Sequence, residues 1–237
     1  FDVHENTSLL GYGLVFGALL IIAAYNFFLW FSVREQAYLF YVAYVLCFCL
    51  LIAEVNGMAF QYFWPNTPEW NNARLLIMVS VVVTLAMAFS REFLQLKHYN
   101  PGLDRLFKLA IALVLIEMPL GAFVFSYRVG ILIAMSFIML VAIMGVSGGI
   151  LNWRAGNRAA RFYIMAWSIL ILFTLIFIFT QLGLLPYSFI AAIALQTGQV
   201  IEVALLSFAL ADRINIAKQD KVETMQRLLE KERRAIT

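Results

Sequence analysis

Residues Ile193 to Arg213 read IALQTGQVIEVALLSFALADR. The stretch is apolar enough to cross a bilayer, yet it carries Gln196, Gln199 and Glu202 at three-residue spacing. At about 100° per residue, these three side chains share one face of a helix. The pattern then runs with no Gly or Pro stop into the charged segment DRINIAKQDKVETMQRLLEKERRAIT. A polar face within a membrane, joined rigidly to a cytoplasmic helix, is the layout of an element that passes a signal inward.

The rest of the chain has the composition to surround such an element. Of 237 residues, 63% are hydrophobic and 13% charged, and the mean hydropathy is +0.86. A soluble domain is nearer half apolar and a quarter charged, so the chain is an integral membrane protein. Cys47 and Cys49 lie in one apolar run. Two residues apart on a helix they point to nearly opposite sides, so they read as small buried hydrophobes, not as a disulfide. The chain starts at Phe with no cleavable signal peptide and stops within a helical pattern. It is therefore expected to be a fragment, with further segments before Phe1 and after Thr237.

Seven apolar segments follow in order. They run from Leu9 to Phe31, Ala37 to Ala53, Leu75 to Phe93, Leu106 to Phe125, Val129 to Leu151, Phe162 to Leu182 and Phe189 to Ala211. Each is about 17 to 23 residues long, enough for a core of about 30 Å. The second is short and Tyr-rich, and only Ser126 to Arg128 separates the fourth from the fifth. Gln95 to Arg105, with Pro101-Gly102, reads as a polar loop. No segment alternates like a membrane strand. The expected fold is an all-α integral membrane bundle of seven helices. Its expected parts are an extracytoplasmic end at residues 1–8, the bundle at 9–211 and a cytoplasmic signalling helix at 212–237.

The charges orient the bundle. Fifteen of the seventeen Lys and Arg fall on one side, and Arg74 and Arg128 alone fall on the other. Basic residues accumulate on the cytoplasmic side, which puts the N-terminus outside and the tail inside. In the tail, Val222, Leu229 and Ile236 share a heptad position with Met225 at the partner position. Asn215 falls on the same seam, and Lys218 and Glu232 interrupt it. A parallel homodimeric coiled coil and a solvated single helix both fit this pattern.

Glu202 is the sharpest single residue. An ionisable group near mid-bilayer must face the bundle interior and be hydrogen-bonded or protonated. It is either an element that changes partners between two states or a carboxyl that fixes helix packing. Glu117 stands two residues before Pro119, which frees a backbone carbonyl. The pair forms a hinge, part of an outward-facing cavity, or a structural kink only. Asn26 on the first span is an interhelical hydrogen-bonder. Asn56, Trp64, Pro65 and Trp70 belong to an aromatic loop, read as an interfacial belt or as a lid over an extracytoplasmic pocket. Arg154, Arg158 and Arg161 either bind anionic lipid headgroups or serve only as topology determinants. Membrane lipids are in any case partners of such a chain.

Several chemistries lack their groups. Gly145-Val146-Ser147-Gly148 matches the G-x-S-G of intramembrane serine proteases, but His4 and His98 both lie outside the spans. The glycines read instead as close-packing positions. No Lys lies mid-span to carry retinal, and no mid-span Asp supports an aspartyl protease. Two distant histidines and no cysteine cluster argue against a metal site. No nucleotide or other cofactor signature appears. The basic tail carries five acids, a poor footprint for nucleic acid. No catalytic residue is assigned. A transporter or channel using Glu117 and Glu202 as an ion path is the alternative function, although no inverted repeat supports it.

The chain resembles the membrane domain of bacterial seven-transmembrane receptors with diverse intracellular signalling modules. The resemblance rests on pieces in order along the bundle, from Leu9 to Ile214. They are GYGLVFGALLIIAAYNFFLWF with Tyr25-Asn26, R-E-x-x-YLFY at Arg34 to Tyr41, Asn56-Gly57, and Trp64-Pro65 with Trp70-Asn71-Asn72. SREFLQL at Ser90 to Leu96, GNRAARFYIMAW at Gly156 to Trp167, GLLP at Gly183 to Pro186 and QTGQVIEVALLSFALADRI at Gln196 to Ile214 follow. The resemblance implies a receptor of the bacterial inner membrane. It implies an upstream extracytoplasmic domain that takes a small-molecule or carbohydrate ligand. It also implies a downstream output domain, such as a diguanylate cyclase or histidine kinase. It marks Tyr25, Asn26, Trp64, Pro65, Arg161, Glu202 and Arg213 for mutation.

Overall fold

The computed structural model describes residues 3–63, 65, 70–181, 183–186 and 194–236. Among these the chain forms nine helices. They are α1 (Val3–Val33), α2 (Gln36–Val55), the short α3 (Met58–Tyr62), α4 (Asn71–Phe93), the single turn α5 (Leu96–Tyr99), α6 (Pro101–Phe123), α7 (Tyr127–Arg154), α8 (Ala160–Gln181) and α9 (Ala194–Ile236). Seven of them (α1, α2, α4, α6, α7, α8 and α9) are long and apolar enough to cross a membrane. The all-α seven-helix bundle expected from the sequence is present. Helices are the natural solution because a bilayer offers no water to backbone N–H and C=O groups, which must pair within the segment.

Consecutive long helices pack side by side, and α9 returns to α1, which closes the ring. Two contacts run across that ring: α4 also packs on α7, and α2 on α9. Helices α2, α4, α7 and α9 therefore each pack on three other long helices, α4 on α2, α6 and α7. We call the end at which α9 leaves the bundle the tail end.

Local chemistry fixes the turns there. Arg34, a non-glycine residue with φ 58°, makes the two-residue reversal from α1 to α2, and its Nε donates to Phe31 O at 3.2 Å. Gln95 (φ 51°) breaks the chain direction after α4. The segment from Gln95 to Arg105 is not the loop expected from its polarity. Asn100 Oδ1 accepts from Leu103 N at 3.2 Å and Pro101 occupies the first position of α6. Proline and a side-chain cap start this helix because its first N–H groups have no intrahelical partner. Between α7 and α8, Gly156 takes φ 99°, a conformation that costs a glycine little.

Helix α1 begins at Val3, within the polar segment, and α6 runs through Pro119 in its last turn without ending. The seventh helix continues through Asp212 and Arg213 to Ile236 as one helix of 43 residues. The GVSGG stretch sits at helix crossings, as its small residues suggested. A Cβ on Gly149 would meet Ile164 Cγ1 at 2.8 Å and Tyr163 Cδ1 at 3.0 Å. Gly148 faces Leu103 and Phe107 of α6.

Candidate functional site

Two polar assemblies lie on α9, one in the bundle core and one at the tail end. The core assembly is built on Gln199 and Glu202, both with no exposed surface. Gln199 Nε2 donates to Glu202 Oε2 at 3.0 Å and to Tyr44 Oη at 2.9 Å. Tyr44 Oη in turn donates to Glu202 Oε2 at 3.4 Å. One turn earlier on α2, Tyr41 Oη donates to the backbone oxygen of Val203 at 2.5 Å. Asn26 of α1 joins from the other side, with Nδ2 donating to Ser207 Oγ at 2.8 Å and to Ile22 O at 2.9 Å. Two helices, α1 and α2, thus grip α9 through side-chain bonds. Burying these groups costs several kcal/mol each without partners, so each bond also selects a rotation of α9.

The tail-end assembly is a set of side chains around the C-terminus of α4. The last carbonyls of a helix lack intrahelical donors and carry the negative end of its dipole. Arg213 of α9 fills that role. Its Nη1 donates to Glu92 O at 3.0 Å and to Phe93 O at 3.1 Å. Its Nη2 stands 3.1 Å from the Glu35 carboxylate in the α1–α2 turn. The guanidinium also lies 5.9 Å from the Phe93 ring centroid. The next carbonyl, Leu94 O, accepts from Asn152 Nδ2 of α7 and from Asn157 Nδ2 at 3.2 Å. Side chains from α9, α7 and the turn after α7 therefore cap α4.

Further pairs brace this end. Arg91 Nε to Asp104 Oδ1 is 2.6 Å, which joins α4 to α6, and Lys108 Nζ of α6 holds the other oxygen of Asp104 at 2.7 Å. Arg161 Nη2 lies 3.7 Å from Asp212, which joins α8 to α9. Rings connect the two assemblies. Tyr41, Phe89, Phe93 and Tyr163 follow one another at centroid distances of 5.6, 5.5 and 5.7 Å. Tyr41 thus touches the core assembly and Phe93 lies beneath Arg213.

The residues singled out from sequence fall in different places. Asn26, Gln199, Glu202 and Arg213 belong to the two assemblies. Gln196 is half-buried on the same face of α9, with Oε1 enclosed. Glu117 is buried elsewhere and contacts Ser80 Oγ of α4 at 3.3 Å. The two intramembrane carboxyls therefore bond to different helices, Glu117 to α4 and Glu202 to α2. Asn56 caps the end of α2, with Nδ2 donating to Ile52 O at 2.8 Å. Trp70 is exposed and meets Phe123 edge-on at 5.7 Å. Pro65 is exposed, and Trp64 lies outside the described residues. Tyr25 is exposed on the outer surface of α1. Arg154 and Arg158 are exposed, and Arg161, also exposed, is the one of the three that reaches α9.

Sequence reasoning missed the partners. Tyr38, Tyr41 and Tyr44 recur every three residues on α2, the same spacing as the polar face of α9. That matching period was a usable signal. Nothing in the sequence marked Asn152 and Asn157 as caps for α4, or Glu35 as the partner of Arg213.

A model of the family described as 7TM diverse intracellular signalling matches residues 8–213. The chain belongs to this family. The bundle of the 7TM diverse intracellular signalling family is a transmembrane sensory receptor module with a signalling role, and the chain is a multi-pass membrane protein. No curated protein and no solved structure matches the chain. The matched segment ends at Arg213, the residue through which α9 is tied to α4.

Proposed function

We propose that the bundle relays an extracytoplasmic signal to an output domain through the rotational position of α9. The observation that carries this reading is the continuity of α9. One helix holds the buried Gln199–Glu202 face, the Arg213 contact with α4 and the charged tail to Ile236. A helix cannot turn at one end and stay fixed at the other without local unwinding. A change in bundle packing therefore reaches the tail as a change of phase.

In this reading the N-terminus is extracytoplasmic, the tail is cytoplasmic and the membrane is the bacterial inner membrane, in accord with the fifteen-to-two distribution of basic residues. Residues 1–8 follow a sensing domain that takes a small molecule or carbohydrate, and 212–237 lead to a diguanylate cyclase or histidine kinase. The tail pairs with that of a second copy. Val222, Met225 and Leu229 on the heptad seam are all exposed, at 57, 60 and 52%. A two-stranded coiled coil would cover them.

The test is the insertion of one to four alanines after Arg213 in the full-length protein, with the activity of its output domain as the readout. Each residue turns the downstream helix by about 100°. Two insertions should disturb output most, and three or four, which nearly complete a turn, should disturb it least. Output that declines steadily with insertion length, without regard to phase, would sink the rigid-helix relay.

A further inference from the structure

The hydrogen-bond inventory around Glu202 is lopsided. Tyr41 gives its hydroxyl hydrogen to Val203 O, and Tyr44 gives its own to Glu202 Oε2. Tyr163, which like Tyr41 lies within electrostatic range of Glu202, donates to Ser90 Oγ at 2.8 Å. Ser90 Oγ passes its hydrogen to Ala86 O at 2.7 Å. The hydroxyls around this carboxyl therefore have their hydrogens committed, and what they still offer is lone pairs. Among the described residues, Glu202 Oε1 and Gln199 Oε1 are buried and meet no donor, and Gln196 Oε1 on the same face of α9 meets none. No Lys, Arg or His among the described residues forms an ion pair with Glu202. A wholly buried cluster rich in acceptors, with one carboxyl and no cationic side chain, has the chemistry of a site for a small cation.

We propose that Glu202, Gln199 and Tyr44 bind a monovalent metal cation inside the bundle, and that the bound ion clamps α9 against α2. Hard cations take oxygen ligands. The cluster offers a carboxylate, a phenol oxygen and the Gln199 amide, whose half-turn replaces its NH2 with an oxygen of the same shape. The positions now held by Gln199 Nε2, Tyr44 Oη and Glu202 Oε2 stand 2.9, 3.0 and 3.4 Å apart, so with the amide turned three oxygens stand close enough to share one ion. This chemistry differs from the histidine and cysteine sites whose ligands the sequence lacks. The consequence for signalling rests on the reading of α9 as the output helix. Occupancy would favour the α9 position in which these oxygens converge, and the ion would act as a co-ligand of the receptor.

The experiment measures binding without reference to output, so its failure is separate from failure of the relay. The purified chain in nanodiscs is unfolded thermally in NaCl, KCl or choline chloride at equal ionic strength. The wild type should gain a saturable rise in midpoint in NaCl or KCl and none in choline chloride. Glu202→Gln keeps the shape and removes the charge, and it should abolish the gain. Tyr44→Phe removes one oxygen and should shift the half-saturating concentration upward by several fold. Should Glu202→Gln fail to fold, scintillation-proximity binding of radioactive sodium to the wild type, with Tyr44→Phe for comparison, still decides. Equal midpoints in all three salts together with no sodium binding would overturn the proposal. So would a gain that survives both substitutions.

Discussion

Arg213→Ala tests the tail-end assembly most directly. The guanidinium side chain is 15% exposed and makes two bonds to the carbonyls of Glu92 and Phe93. In membrane bundles an interhelical hydrogen bond is worth about 0.6 kcal/mol on average and about 1.7 at most, and bonds from a charged donor reach about 1.5–3. The Glu35 carboxylate is 35% exposed, so solvent screening holds that pair below about 1 kcal/mol. Loss of the whole guanidinium should therefore cost about 2–4 kcal/mol, most of it from the two carbonyls. Arg213→Lys keeps the charge but offers a point donor in place of a fork, and it should recover roughly half of that loss. Glu35→Gln should cost less than about 1 kcal/mol. Equilibrium unfolding in mixed micelles gives all three values. The expected order of loss is Arg213→Ala, then Arg213→Lys, then Glu35→Gln. If Glu35→Gln cost as much as Arg213→Ala, the ion pair would carry the contact and the capping of α4 would be the wrong explanation. An Arg213→Ala variant as stable as wild type would remove the reason to regard Arg213 as the tie between α9 and α4.

Two further outcomes follow from the packing. Gly149→Ala would place a Cβ 2.8 Å from Ile164 Cγ1 and should cost about 1–3 kcal/mol by prying α7 from α8, whereas Gly11→Ala, with no atom within 4 Å, should be close to neutral; the difference in unfolding midpoint checks this. A double-mutant cycle of Asn26→Ala with Ser207→Ala should give a coupling of about 0.6 kcal/mol and not above about 1.7, and a coupling near zero would detach α1 from the grip on α9.

Much of this protein can be read along the chain. Seven apolar runs and the absence of alternation specify seven helices, because a bilayer forces each segment to satisfy its own backbone. The three-residue spacing of Gln196, Gln199 and Glu202 specifies one face of α9, and the lack of Gly or Pro after Ala211 specifies its continuation. These features depend on residues a few positions apart, and the sequence lists those in order. A polar stretch was misread where such local features compete: Gln95 to Arg105 carries loop chemistry, yet Pro101 and the Asn100 cap start a helix within it.

What the tertiary structure decided is which partner each polar group takes. Tyr44 lies 158 residues from Glu202 in sequence, and Arg213 lies 121 residues from Glu92. Hydropathy does not distinguish one apolar helix from another as a neighbour, so it leaves those pairings open. They are set when the ring closes with α9 against α1, α2 and α8, and α4 against α2, α6 and α7. Only then do the end carbonyls of α4 come within reach of Arg213, Asn152 and Asn157. The sequence by itself determined that a polar helix leaves the bundle unbroken. The packing of helices distant in the chain determined what holds that helix in place.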